Sequence, residues 1–204
     1  LMLNKNIIFN NKLINKKNIL SKKIKKFFIE LKKNIYSNKI PMLNSFKKNF
    51  KLSYDKKIIK KLKNKNIYNI IGMGGSILGS KTIYSFLKHK IKKNFKFIDN
   101  LDVNNFSSLS KDKKQNNIFI SKSGNTIETM VNLNFIIKRK NSAKNIFVTE
   151  FKNSALLQIA NKLKSEIIEH KDYIGGRYSV MSEVGMLPAE LMNLKNKNFK
   201  NLNY

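Results

Sequence analysis

The hydrophobic rhythm of the chain changes near residue 66. Before it, apolar residues recur at helical spacing, with Ile24, Phe27, Phe28 and Leu31 inside Ser21–Lys33 and then Ile58, Ile59 and Leu62 from about residue 55. Ser21 offers a capping hydroxyl to the first of these helices, and Pro41 interrupts the pattern between them. Residues 1–65 therefore read as a helical arm, opened by an Asn/Lys-rich stretch over 1–20. From Ile67 onwards short apolar runs alternate with amphipathic ones. The runs predict strands over 66–71, 94–98, 117–120, 145–149 and 166–169. Between and after them, helices are predicted over 78–88, 126–139, 154–163 and 180–192, with a short one from an Asp102 cap through Leu109. Pro188 predicts a break near the end of the last helix, whose apolar side chains Val184, Met186, Leu187 and Leu191 form a face expected to await a partner domain. Such alternation predicts an α/β fold, a doubly wound parallel sheet over 66–192 with helices on both faces, followed by a polar tail over 193–204.

Glycine refines this picture. The eight glycines fall into three groups: Gly72, Gly74, Gly75 and Gly79; Gly124; and Gly175, Gly176 and Gly185. Each group lies at or near the C-terminal end of a predicted strand, where open α/β sheets bind ligands. The first group reads Gly72-Met73-Gly74-Gly75-Ser76, between an apolar strand and a helix. Its spacing is neither the dinucleotide pattern nor a nucleotide P-loop, so it is either a phosphate-sized anion turn or a tight turn that needs small residues for packing.

The second group is Ser121-Lys122-Ser123-Gly124-Asn125-Thr126-Ile127-Glu128-Thr129. Hydroxyls, an amide and an ammonium crowd a strand end just ahead of a helix. A helix cap from Asn125 or Ser123, boxed by Glu128, needs only one such group, so the concentration of polar residues favours anion binding. The third group, Asp172-Tyr173-Ile174-Gly175-Gly176-Arg177-Tyr178-Ser179, carries one of only two arginines; the other is Arg139. A planar guanidinium holds a carboxylate or an enediolate bidentately; the structural alternative is a pair between Arg177 and Asp172.

Composition narrows the chemistry. Cysteine is absent, which excludes disulfides, thiolate metal sites and cysteine nucleophiles and fits a reducing cytoplasm. The two histidines, His89 and His170, share no motif, so no metal site is expected. No run of about 18 apolar residues suggests a membrane span. The formal charge of +30 suggests nucleic acid at first sight. It arises from lysine spread through ordinary amphipathic segments together with excess Asn and Ile, and a nucleic-acid surface favours arginine for bidentate contacts. The charge therefore reads as a solvated surface that attracts anionic substrates, with no specific nucleic-acid partner.

In this order and spacing the three motifs resemble the phosphoglucose isomerase family. Gly74-Gly75-Ser76 is similar to that family's Gly-Gly-Ser loop, Ser121–Thr129 to its phosphate loop, and Gly175-Gly176-Arg177-Tyr178-Ser179-Val180 with Ser182 and Gly185 to its first signature. Over about 66–192 the resemblance implies a five-stranded sugar isomerase (SIS) domain. It implies phosphate binding by Ser121, Ser123 and Thr126 with Lys122 close by, a sugar pocket lined by Gly75 and Ser76, and an enediolate stabilised by Arg177. Glu128 matches an acidic position that orients a ring-opening histidine in relatives. The implied reaction interconverts glucose 6-phosphate and fructose 6-phosphate, in glycolysis and gluconeogenesis, without metal or other cofactor. In the family a second SIS domain carries the catalytic glutamate, and a histidine comes from the neighbouring subunit of a homodimer. Nothing after Gly185 resembles that half, so the chain reads as an N-terminal portion. The alternative is a non-catalytic sugar-phosphate-binding SIS module.

Overall fold

The computed structural model describes residues 19–37, 39–102, 115–138 and 143–200. Helix α1 spans Ile19–Tyr36, beginning ahead of Ser21, and is followed by a 3-10 turn over Pro41–Phe46. Helix α2 (Lys56–Lys63) is capped by Asp55, whose carboxylate accepts from Ile58 N–H at 2.9 Å. The core then runs β1 (Ile67–Gly72), α3 (Gly75–Leu87), β2 (Asn94–Ile98), β3 (Gln115–Ile120), α4 (Ile127–Lys138), β4 (Lys144–Thr149), α5 (Ala155–Lys162) and β5 (Glu166–Glu169). A 3-10 turn over Gly176–Met181 leads into α6 (Glu183–Leu191), and α7 (Asn196–Phe199) follows. The predicted helix from Asp102 to Leu109 lies outside the described residues.

The five strands form one parallel sheet in the order β2-β1-β3-β4-β5. Alternate side chains feed two separate cores. On one face Tyr68, Ile70, Ile118, Ile120, Ile146, Val148 and Ile168 pack with Ile59 and Leu62 of α2, Ile77 and Ile83 of α3, and most of α6. On the other, Ile71, Ile98, Phe119 and Phe147 pack with Leu133 and Ile136 of α4 and Leu156 and Ala160 of α5. The doubly wound arrangement is thus observed. Its C-terminal switch point lies between β1 and β3, where the chain reverses its direction of travel across the sheet.

Helix α6 corrects one expectation. Val184, Met186, Leu187 and Leu191 are buried within this chain, at 0–1% exposure, so they leave no apolar face for another domain. A helix buried on nearly every side is a core helix, and α6 is one, packed by α2 and α3 over the sheet with Glu190 half-buried. Pro188 lies inside it and does not end it; Met192 N–H still donates to Pro188 O at 2.9 Å.

Polar residues pin the register of the central strands. Asn69 pairs with Asn117 and Asn117 with Asn145 in the ladder. Their side chains connect in the same sense, Asn69 Nδ2 to Asn117 Oδ1 at 2.8 Å and Asn117 Nδ2 to Asn145 Oδ1 at 3.0 Å. A one-residue slip would break this row and put each strand's apolar set on the wrong face.

Candidate functional site

The three glycine groups meet at the switch point. Gly72 pairs with Ile120, which brings the β1–α3 turn beside the β3–α4 loop. The β5–α6 loop closes over both. A Cβ added to Gly75 would lie 2.3 Å from Gly176 C and O and 2.8 Å from Arg177 N, so the first turn touches the backbone of the third loop. Ser179, fully buried, fixes this contact: its Oγ lies 2.7 Å from Gly176 O and 3.2 Å from Gly75 O. Further along α3, a Cβ at Gly79 would meet Val180 Cγ2 at 2.8 Å. Gly75 and Gly79, one helical turn apart, are therefore the groove into which the Gly176–Met181 turn is pressed.

This geometry gives the first group a packing role. The N–H groups of Ser76, Ile77 and Leu78 already donate to Met73 O and Gly74 O. Gly74, at φ +55°, opens the turn. The turn is built chiefly for close packing, with Ser76 half-buried beside it.

The second loop presents more unspent groups. Ser121, almost fully buried, sits with its Oγ 3.0 Å from Thr126 Oγ1 and accepts from Gly124 N–H at 3.1 Å. Gly124 adopts φ +68°, and a Cβ there would overlap Ser154 Oγ. Ser123 is exposed and accepts from Asn125 N–H at 3.3 Å. Asn125 does not cap α4: its Oδ1 accepts from Ala155 N–H at 3.0 Å, tying the loop to the start of α5. The first bond of the α4 ladder runs from Met130 N–H to Thr126 O. The N–H groups of Ile127, Glu128 and Thr129 therefore point out of the helix start without an acceptor among the described residues, beside the Thr126 hydroxyl. Such a helix end attracts an anion of phosphate size. Glu128 is half-buried on the first turn of α4.

Lys122 is placed differently from a free phosphate ligand. Its Nζ pairs with Glu150 Oε1 at 3.3 Å and donates to Asp172 O. Burial alone would raise Glu150, but hydrogen bonds and charge from Lys152 and Lys122 outweigh it and hold the carboxyl below the usual range. Lys122 thus ties the second loop to the third. Arg177 is exposed above these ties, without an ion pair among the described residues. Asp172 accepts from Tyr173 N–H at 2.7 Å instead, which removes the structural alternative of an Arg177–Asp172 pair. Sequence reasoning missed the Lys122–Glu150–Asp172 connection, because its partners lie 28 and 50 residues from Lys122 and carry no motif of their own. Among the described residues there is no group of three or more His, Cys, Asp or Glu able to hold a metal, and no helix is long and apolar enough to cross a membrane.

Known proteins share this chain and fold. Residues 36–203 match the family described as Phosphoglucose isomerase. Glucose-6-phosphate isomerase of Methanocaldococcus jannaschii is 38% identical over 165 residues, covering 76% of this chain and 41% of that protein. The enzyme of Prochlorococcus marinus is 39% identical over 155 residues, covering 68% of this chain and 29% of that protein. The chain therefore spans less than half the length of these relatives. In fold it is similar to a hypothetical protein from Thermus thermophilus (TM-score 0.66, 19% identity, 86% of this chain and 46% of that one). It is also similar to tagatose-6-phosphate ketose/aldose isomerase from Escherichia coli (TM-score 0.53, 16% identity, 82% and 45%). With most of its length matched by the family, glycine groups included, the chain belongs to the phosphoglucose isomerase family.

Proposed function

We propose that this chain supplies the phosphate-binding and enediolate-stabilising part of an aldose–ketose isomerase that interconverts glucose 6-phosphate and fructose 6-phosphate. The observation that carries the reading is the meeting of the α4 helix start with the Arg177 loop at one switch point, joined by Lys122. In this reading the 6-phosphate sits on the free N–H groups of α4 and the hydroxyls of Ser121, Ser123 and Thr126. Lys122 serves the phosphate indirectly, by holding the loops together and adding positive potential. Gly75 and Ser76 border the sugar, and Glu128 stands behind the phosphate loop.

Isomerisation moves a proton between C1 and C2 while negative charge builds on the two oxygens. A guanidinium held over those oxygens stabilises the enediolate more than the neutral sugar, and so lowers the barrier. Arg177 is the group for that role. No metal or other cofactor is required by this chemistry. The neighbouring carboxylates Glu150 and Asp172 are engaged by Lys122, Lys152 and Tyr173 N–H. In this reading, as the family resemblance implies, the proton-carrying base is supplied by a second domain of a complete homodimeric enzyme in the cytoplasm.

The test is a titration of the pure chain with fructose 6-phosphate, alongside a coupled turnover assay. Saturable binding with turnover at the level of a heat-killed control supports the reading. Absence of binding sinks it, and brisk turnover by the chain alone would place the base within these residues.

A further inference from the structure

Helix α1 has two unlike parts. Its C-terminal part, with Leu31 and Asn34 half-buried and Ile35 buried, packs on the Pro41–Phe46 turn. Every residue from Lys22 to Glu30 is exposed, so about two and a half turns of helix stand clear of the sheet. Those turns are not simply polar. Ile24 is 46% exposed and Phe27 and Phe28 are 61% exposed each, their two rings edge-on to one another at 6.1 Å. The family match begins at Tyr36, the last residue of the helix, so these bare turns precede the matched residues.

The exposed apolar side chains form a face. At about 100° per residue, Ile24, Phe27, Phe28, Leu31 and Ile35 fall within an arc of about 100°. Lys22, Lys23, Lys25, Lys26, Lys32 and Lys33, all exposed, occupy the rest of the circumference. Glu30 is the one acidic residue of the helix, and Ile29 and Tyr36 are the apolar residues outside the arc. One stripe therefore starts against the body of the protein at Ile35 and Leu31 and runs out bare through Phe28, Phe27 and Ile24.

Charge decides what suits that stripe. Six lysines stand against one glutamate on the helix, and Lys23 flanks one edge of the arc while Lys25 and Lys32 flank the other. A second copy of the chain would bring the same lysines to the same edges, on a molecule of formal charge +30, so self-association is opposed. An anionic bilayer meets both demands at once. It takes aromatic and aliphatic side chains below its headgroups, and its phosphates receive lysine ammonium groups reaching out from the edges of the stripe. A basic helix with Phe on its apolar face is the form that lies in the plane of such a surface.

We propose that α1 lies on anionic lipid surfaces, with Ile24, Phe27 and Phe28 inserted at the headgroup boundary and its lysines on lipid phosphates, and so docks the sheet domain there as a peripheral protein. The helix lies on the bilayer and does not cross it. This docking is independent of the sugar-phosphate reading, since no residue of α1 belongs to the candidate site.

The sequence supplies a clean reporter background, because it contains no tryptophan. In the full chain carrying Phe28→Trp, emission is expected to shift to the blue when vesicles of phosphatidylcholine mixed with phosphatidylglycerol are added, and to be quenched by brominated acyl chains. Lys33→Trp, on the lysine side of the helix, should keep a water-like emission on the same vesicles. Phe27→Ser with Phe28→Ser changes only exposed side chains, so the urea midpoint should hold while affinity for the vesicles falls about tenfold or more. Vesicles of phosphatidylcholine alone should bind far more weakly. Absence of binding to the anionic vesicles overturns the proposal. So does binding without a blue shift that the double serine variant leaves unchanged, which is adsorption of a polycation and nothing more. Blue emission from Phe28→Trp before vesicles are added also overturns it: the stripe is then covered within the chain if the emission is independent of protein concentration, and by a second copy if it grows with concentration.

Discussion

Gly75→Ala is the most revealing single substitution. A new methyl at this position would sit 2.3 Å from Gly176 C and O and 2.8 Å from Arg177 N. Carbon atoms rest about 3.5 Å or more apart, so the Arg177 turn must retreat by about 1 Å. The obstacle is backbone, and no side chain can swing aside to relieve it. Replacing a helical glycine by alanine ordinarily gains up to about 1 kcal/mol. Overpacking of this kind costs about 1–3 kcal/mol. The expected net is a loss of about 0–3 kcal/mol, read by urea unfolding. The larger effect is functional: a misplacement of about 1 Å can cost about 100-fold in rate, so fructose 6-phosphate affinity and the activity of a complete enzyme should fall well beyond the stability loss. Gly74→Ala is the control. It has open space around it but φ +55°, so it should cost about 1–3 kcal/mol of strain without pushing on Arg177. Wild-type affinity in Gly75→Ala together with a gain of about 1 kcal/mol would refute the packing argument, since only helix propensity would then be at work.

Other consequences are simpler to read. Asn117→Ala breaks two hydrogen bonds in the row but leaves Asn69 Nδ2 its bond to Gln115 Oε1 at 3.2 Å, so urea unfolding should report a loss of about 1–2 kcal/mol. Glu150 is held below its ordinary pKa, so its contribution is present at neutral pH and is lost as pH falls from the unfolded carboxylate range through the folded value. Lys122→Met should therefore flatten the acid limb of the stability–pH curve; an unchanged limb would show that the pair contributes nothing. Binding of random duplex DNA should fade steeply between about 50 and 200 mM salt, as for any diffuse polycation, and persistence at the upper value would revive a nucleic-acid role.

The sheet was legible because its strands are short apolar runs with clear ends; Asn94–Ile98 and Glu166–Glu169 stand where periodicity puts them. The start of α3 was not. Periodicity begins it at Leu78, yet it starts at Gly75, because glycine's poor helix propensity hides a turn that exists to let two backbones touch. The fate of α6 was likewise hidden: a largely apolar helix states that it is buried but not by what, and its cover comes from α2 and α3, far away in sequence. At the candidate site, Ser121, Thr126 and Arg177 stand out from local motifs. Glu150 does not, since its partner Lys122 is brought to it only by the fold.

The central claim is tested most directly by mapping backbone amide shifts of the labelled chain during titration with fructose 6-phosphate, using fructose as the control. The account predicts saturable shifts at Gly124, Ile127, Glu128 and Thr129, with smaller ones through the Arg177 loop, and no such shifts with fructose. Shifts centred elsewhere, or the same shifts with the unphosphorylated sugar, would contradict it.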